Sequence, residues 1–251
     1  MSVVDRAGEL WVCHMGLTPY SDALVIQAQL RDRRQAGELP DTLLLLEHPP
    51  TYTRGRRSGA QDLPMPESFY REQGIEVHAT DRGGKLTYHG PGQLVGYPIM
   101  AITDIGRHLR TMEDAIVGAL AQADVSARSR HDEGIDYTGV WVEDRKIASI
   151  GVHVSRGVTT HGFAVNVDND LEPFSWVIAC GLPDVHMTSI ALESDGACES
   201  LGCFRKRMAD SFARAHGRRQ RLVSPSRLGI GTTNASSLKT ISSPVLVPLP
   251  A

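Results

Sequence analysis

Cys180 lies in Ile178-Ala179-Cys180-Gly181-Leu182-Pro183. Glycine and proline on its C-terminal side put it at the end of an element on a sharp turn, a position that can expose a thiol. A lone cysteine is also commonly a small buried hydrophobe, and it becomes reactive only beside a base or a cation. Lys146, in Arg145-Lys146-Ile147-Ala148-Ser149-Ile150-Gly151, is a possible activator. A lysine beside a hairpin turn is also commonly a solvated turn residue, and sequence separation leaves open whether the two meet.

The densest run of hydrogen-bonding residues is Arg82-Gly83-Gly84-Lys85-Leu86-Thr87-Tyr88-His89-Gly90-Pro91-Gly92-Gln93. Glycine lets a backbone approach a ligand closely because no Cβ intervenes. The run has neither GxxxxGK[ST] nor dinucleotide-binding spacing, so it is a poor phosphate cradle, and it could equally be a plain turn-rich connection.

Other chemistries lack their residues. There is no HExxH, GxSxG or CxxC, and the 10 histidines are not spaced as a metal set. Asn166-Val167-Asp168-Asn169-Asp170 lacks the glycine and distant glutamate of a calcium loop, which leaves capping or turn duty. Cys13, Cys198 and Cys203 read as structural or incidental.

Positioning elements follow from periodicity. Residues 10–16 read as a strand, and Thr18-Pro19 as the N-cap and first position of a helix carrying Ala23, Ile26 and Leu30 on one face. DTLLLLEHP then reads as a buried strand, and IEVHAT, LTYHG and QLVGYPIM as further strands. Leu109, Met112, Ile116 and Leu120 predict a helix over about 106–123. Residues 139–167 alternate as an antiparallel meander with Lys146 at a strand start, and a last helix is expected over 197–215. The Ser/Pro/Gly-rich stretch from 224 to 251 is expected to be a disordered tail behind one domain, 1–223.

Composition narrows the partners. The 251 residues are 41% hydrophobic, enough for a full core. With 26 basic against 29 acidic residues the formal charge is -3, which gives no general attraction to nucleic acid or anionic membrane. No apolar run approaches a membrane span, and no leader is visible, so reduced thiols in a cytoplasm are the expectation.

EHPPTYTRG (47–55), RGGKLTYHGPGQLVGYPI (82–99), RKIASIGVHVSRGVTTHGFAVNV (145–167) and ACGLPD (179–184), in this order, closely resemble the octanoyltransferase family of lipoate biosynthesis. The resemblance covers roughly 10–215. It implies an α/β (α+β) fold like that of the biotin and lipoate protein ligases, a mixed β-sheet flanked by helices. It also implies that Cys180 forms an acyl-thioester, that Lys146 activates it, and that the acyl group is bound by Arg82, Gly83, Gly84, Lys85, Leu86, Thr87, Tyr88 and His89, by Ser149, Ile150 and Gly151, and by Gly162, Phe163 and Ala164. The implied donor is acyl carrier protein. The implied acceptors are lipoyl domains of 2-oxoacid dehydrogenase complexes and the glycine cleavage H protein. No cofactor or metal is implied, and a monomer is expected.

His89 is open to two readings, a hydrogen-bonding site residue or a brace for its loop. Arg54, Arg56, Arg57 and Lys85 are open to carrier docking or to plain solvation, and Arg54 departs from the small apolar residue common in the family. An ATP-dependent lipoate or biotin ligase shares the implied fold but needs no cysteine. A thioester hydrolase could use the same dyad, and a non-catalytic acyl or lipoyl-domain binding protein could keep the pocket without turnover.

Overall fold

The computed structural model describes residues 8–178, 185–194 and 200–231. Cys180 and Cys198 lie outside the described residues. Among the described residues, eleven strands and six helices follow one another as β1 (Glu9–Leu17), α1 (Tyr20–Gln35), β2 (Asp41–Glu47), β3 (Thr51–Arg54), α2 (Glu67–Glu72), β4 (Glu76–Ala79), β5 (Leu86–His89), β6 (Gln93–Ile99), α3 (Ile105–Ala121), β7 (Arg128–Ser129), β8 (Gly139–Val142), β9 (Arg145–Ser155), β10 (Val158–Asn166), α4 (Glu172–Ser175), α5 (Ile190–Glu193), α6 (Leu201–Ala215) and β11 (Arg219–Val223).

Eight strands form one mixed sheet in the order β11-β1-β2-β6-β10-β9-β8-β7. β1 runs parallel to β2 and β11, and the other pairs are antiparallel, including the expected meander β8-β9-β10. A second sheet, β4-β3-β5, stands apart from it. This is the mixed α/β architecture that the sequence blocks imply.

Three cores hold these layers. Alternate residues of the large sheet, such as Leu43, Leu94 and Phe163, pack on Met112, Ile116 and Phe212 of α3 and α6. The opposite side chains, among them Trp11, Leu44 and Tyr97, meet Leu30 of α1. Tyr52, Tyr70, Tyr88 and Phe174 make a third cluster on the small sheet. Asp104 caps α3 by accepting from the Arg107 N–H (3.0 Å), and Ser200 caps α6 through the Cys203 N–H (3.2 Å).

Two expectations are corrected. The N-cap of α1 is Pro19, and it has no side-chain cap. Thr18 is instead held by its main chain, with its N–H donating to Glu47 O (2.9 Å) and its carbonyl accepting from His48. The tail does not begin at 224. Residues 225–228 form a 3-10 turn that buries Leu228 and Ile230 in the α1-side core, Arg33 donates to Leu228 O, and the Arg227 guanidinium lies 5.5 Å from the Trp11 ring centroid. Two apolar anchors in a stretch of polar composition are enough to seat it.

Candidate functional site

The large sheet, the small sheet and the loop between β4 and β5 enclose a cavity of about 500 Å³. Residues 82–87 and His89 line it from the small sheet and its loop, while Lys146, residues 149–151 and residues 162–164 line it from β9 and β10. The two blocks at 82–99 and 145–167 thus converge on one space although they are far apart in the chain.

Tyr88 is placed differently from its neighbours. Successive strand side chains point to opposite faces, so while Thr87 and His89 reach the cavity, Tyr88 packs in the aromatic cluster, 5.5 Å from the Tyr52 ring and 5.4 Å from Phe174. It supports the cavity wall from behind.

The glycines bring backbone to backbone. Gly83 N–H donates to Val152 O (2.9 Å), and a Cβ on Gly151 would stand 2.7 Å from Gly83 O. At Gly55 a Cβ would stand 2.4 Å from Gly84 O. The 82–84 loop is therefore pinned directly onto β9 and the start of the turn after β3, closing one side of the cavity.

Arg82 is buried and donates to Thr53 Oγ1 and Gly83 O (2.8 and 3.0 Å), which ties the loop to β3. Arg56 and Arg57 lie at the rim with half-buried Lys85. Arg57 pairs with Asp136 at 2.8 Å. Ile105 and Ile135, 48% and 71% exposed, add apolar surface to the same rim.

Lys146 is 2% exposed, so it is not a solvated turn residue. The turn ahead of it is taken by Glu143, with φ +52°, and the chain has already entered β9 at Arg145. Its ammonium lies 5.1 Å from the Trp141 ring centroid, a cation–π distance. Lys146 N–H donates to His186 O (2.9 Å), Lys146 O accepts from Thr188 N–H (3.0 Å), and Met187 forms a parallel bridge with it.

The inner wall carries Tyr20, Tyr97 and His161, with His48 buried behind them, none of which sequence reasoning assigned. His48 Nδ1 donates to Thr18 O (2.7 Å), so its Nε2 accepts from Tyr97 O–H (2.7 Å). Burial depresses His48 to about 4 and lifts Tyr20 to about 12, so both are neutral near pH 7. His161 adopts φ +57° inside β10, its N–H donates to Gln27 Oε1 (2.6 Å), and its ring lies 2.7 Å from Asp81 Oδ1. That hydrogen bond holds the Asp81 carboxyl below its usual range. The signal for His48 was present in the Glu47-His48-Pro49 block, but nothing local says that it faces Tyr97.

Cys13 is fully buried, and burial pushes its thiol up to about 11, so it supplies no thiolate. Cys203 is exposed on α6 and is absent from the cavity wall. Among the described residues no group of three or more His, Cys, Asp or Glu side chains is placed to hold a metal, and no helix is long and apolar enough to cross a membrane.

The lipoyl protein ligase A/B catalytic domain model matches residues 19–213. An octanoyltransferase of Rubrobacter xylanophilus is 48% identical over 77% of this chain and 88% of its own length. The chain belongs to the octanoyltransferase family. Another octanoyltransferase, the mitochondrial one of Arabidopsis thaliana, is 38% identical over 84% of this chain and 89% of that protein. Among solved structures, this octanoyltransferase-family chain superposes on lipoate-protein ligase A bound with ATP with TM-score 0.68 at 18% identity, covering 89% of the chain and 92% of the ligase. It also superposes on a bi-partite lipoate protein ligase from Thermoplasma acidophilum (TM-score 0.65, 17% identity, 86% of each chain). At that identity the likeness shows the fold, whereas the octanoyltransferase relatives show the family.

Proposed function

We propose that the protein transfers an octanoyl or lipoyl group from the phosphopantetheine thiol of acyl carrier protein to a lysine amine of lipoyl domains, through a thioester on Cys180 activated by Lys146. The observation that carries this reading is Lys146 itself, a buried lysine in a cavity wall whose main chain is bonded to His186 and Thr188. Cys180 precedes Met187, the residue bridged to Lys146, by seven positions, a tether of at most about 25 Å.

The chemistry follows from the two groups. A free thiol titrates near ~8.5 and is mostly protonated at neutral pH. An adjacent ammonium favours the thiolate, which attacks the donor thioester carbonyl. The carrier thiol leaves with a proton that Lys146 hands over, and the acyl group stays on Cys180. The acceptor amine then attacks, its C–N bond forms as the C–S bond breaks, and one amine proton passes through Lys146 to the Cys180 sulfur. Thioester exchange is nearly balanced and amide formation runs downhill, so the reaction needs no ATP, cofactor or metal. The tetrahedral oxyanion of this reading calls for backbone N–H donors near Cys180 or in the 82–89 loop, and losing one such donor typically costs ~10²- to 10³-fold.

Lipoyl domains of 2-oxoacid dehydrogenase complexes and the glycine cleavage H protein are the proposed acceptors. The enzyme acts as a cytoplasmic monomer in this reading. The test is transfer of octanoyl from octanoyl-acyl carrier protein to a purified lipoyl domain, read by intact mass with and without ATP. The reading expects one octanoyl per domain without nucleotide. Transfer that requires ATP and free acid would replace it with a ligase.

A further inference from the structure

A single chain of buried polar groups joins His89 to the strand of Lys146. His89 Nδ1 lies 2.7 Å from Gln93 Oε1, and Gln93 Nε2 donates to Asn166 Oδ1 (2.9 Å) and to Tyr88 O (3.1 Å). Asn166 Nδ2 donates to Thr188 O (2.9 Å), and Thr188 N–H donates to Lys146 O (3.0 Å). His89, Gln93, Asn166 and Thr188 are each 6% exposed or less.

The polarity of this chain is forced. Tyr88 O and Thr188 O are carbonyls and can only accept, which fixes the amide nitrogens of Gln93 and Asn166 toward them. Gln93 Oε1 is then the acceptor left for His89, so His89 carries its proton on Nδ1 and Nε2 is a bare lone pair. Most buried side-chain polar atoms find a hydrogen-bond partner within the protein. Among the described residues only Nδ1 of His89 has a partner, and the ring lines the cavity.

The surroundings keep the ring neutral. Tyr20 stacks on it at 6.1 Å between centroids, and His48 meets it edge-on at 5.5 Å. Burial first, then His48, Arg82 and His161, hold His89 well below the ordinary histidine value, against the opposing pull of the Gln93 hydrogen bond. Such a ring is a poor base but a constant hydrogen-bond acceptor.

We propose that His89 Nε2 accepts a hydrogen bond from the attacking primary amine of the acceptor protein and aims its lone pair at the acyl carbonyl, with Gln93 and Asn166 as positioning residues that hold the tautomer. The inference rests on the acyl-transfer reading above and adds the amine-binding group to it. His89 gains and loses no proton in the step; the amine proton goes to the departing sulfur as before.

The experiment separates the half-reactions. Acyl-enzyme is formed from octanoyl-acyl carrier protein and then mixed with a lipoyl domain, and both rates are followed for wild type, His89→Asn, His89→Gln and Gln93→Glu, with melting temperatures as a check on folding. Asn keeps a donor toward Gln93 and removes the distal acceptor. It is expected to slow transfer about 10- to 100-fold more than acylation, the scale of one positioned contact. Gln restores an acceptor at the Nε2 position and recovers part of the loss. Gln93→Glu places a carboxylate on Nδ1, raises the His89 pKa, and gives transfer a new acid limb that disappears as pH rises; Tyr20, His48, Arg82, His161 and Asp81 are unaltered in it. Equal losses in both half-reactions, or unchanged transfer in His89→Asn, overturn the inference while leaving the acyl-transfer reading standing. A wild type that forms no acyl-enzyme overturns that reading and this inference with it.

Discussion

Lys146 and Thr188 share a main-chain hydrogen bond of 3.0 Å, and through it the segment 185–188, which follows Cys180 in sequence, is stitched to the strand that carries the buried lysine. With His186 and Met187 it completes a short ladder along Lys146. In the proposed dyad, this ladder and the seven positions between Cys180 and Met187 limit how far the thiol can lie from the ammonium.

Lys146→Ala leaves the thiol in place and removes the cation. The expected outcome is a rise in the pH midpoint for alkylation of Cys180 toward the ~8.5 of a free thiol. Stopped-flow alkylation from pH 5 to 10 measures it. An unchanged midpoint removes Lys146 as the activator.

Gly151→Ala puts a methyl group 2.7 Å from Gly83 O. The 82–84 loop must lift from β9 and lose its Gly83–Val152 bond, at a cost of roughly 1–3 kcal/mol for overpacking. Acyl-group affinity is expected to fall more than the melting temperature suggests, because that loop is the cavity wall. Binding of an octanoyl analogue by calorimetry, beside a thermal melt, decides between a local and a global effect.

Acid is expected to destabilise the protein before its carboxylates protonate. His48 and His108 are both depressed by burial to about 4 from an ordinary 6.5. Folded, each ring stays neutral where the unfolded chain takes up a proton, so the unfolded state binds more protons between those values. Their contribution is complete above about pH 6.5 and is lost as pH falls toward 4, up to roughly 3 kcal/mol per ring. Urea unfolding at pH 7 and pH 5 is expected to show a lower midpoint at pH 5. Equal midpoints contradict the neutral burial of these rings.

Ending the chain at residue 223 rather than 231 removes Leu228 and Ile230 from the α1-side core. At about 1.5–3 kcal/mol per buried side chain, the shorter protein loses roughly 3 kcal/mol or more. Denaturant unfolding of the two lengths measures the difference. Equal stability means that the 3-10 turn is not part of the fold.

Much of this was legible in the chain, for identifiable reasons. The stripe Met112-Ile116-Leu120 and the alternation through residues 139–167 are repeated signals, and they mark α3 and the β8-β9-β10 meander. β4 and β5 read as the strands IEVHAT and LTYHG, but the small sheet they form with β3 went unread, because β3 is four residues long and the three pair out of sequence order. β11 was missed because Arg219-Gln220-Arg221 is rich in charge and pairs with the distant β1. LTYHG reads as a strand, but which of its faces turns to the cavity depends on where the small sheet sits, so the outward packing of Tyr88 was not legible. The His89–Gln93–Asn166 chain depends on side-chain direction across three elements, and no local pattern encodes that. Asn166 read as turn chemistry for this reason.

A covalent acyl-enzyme on Cys180 is open to intact-protein mass spectrometry. Wild type and Cys180→Ala are incubated with octanoyl-acyl carrier protein without acceptor. A single hydroxylamine-labile octanoyl adduct is expected on wild type and none on the variant. An adduct on both proteins, or none on folded wild type with intact donor, contradicts it.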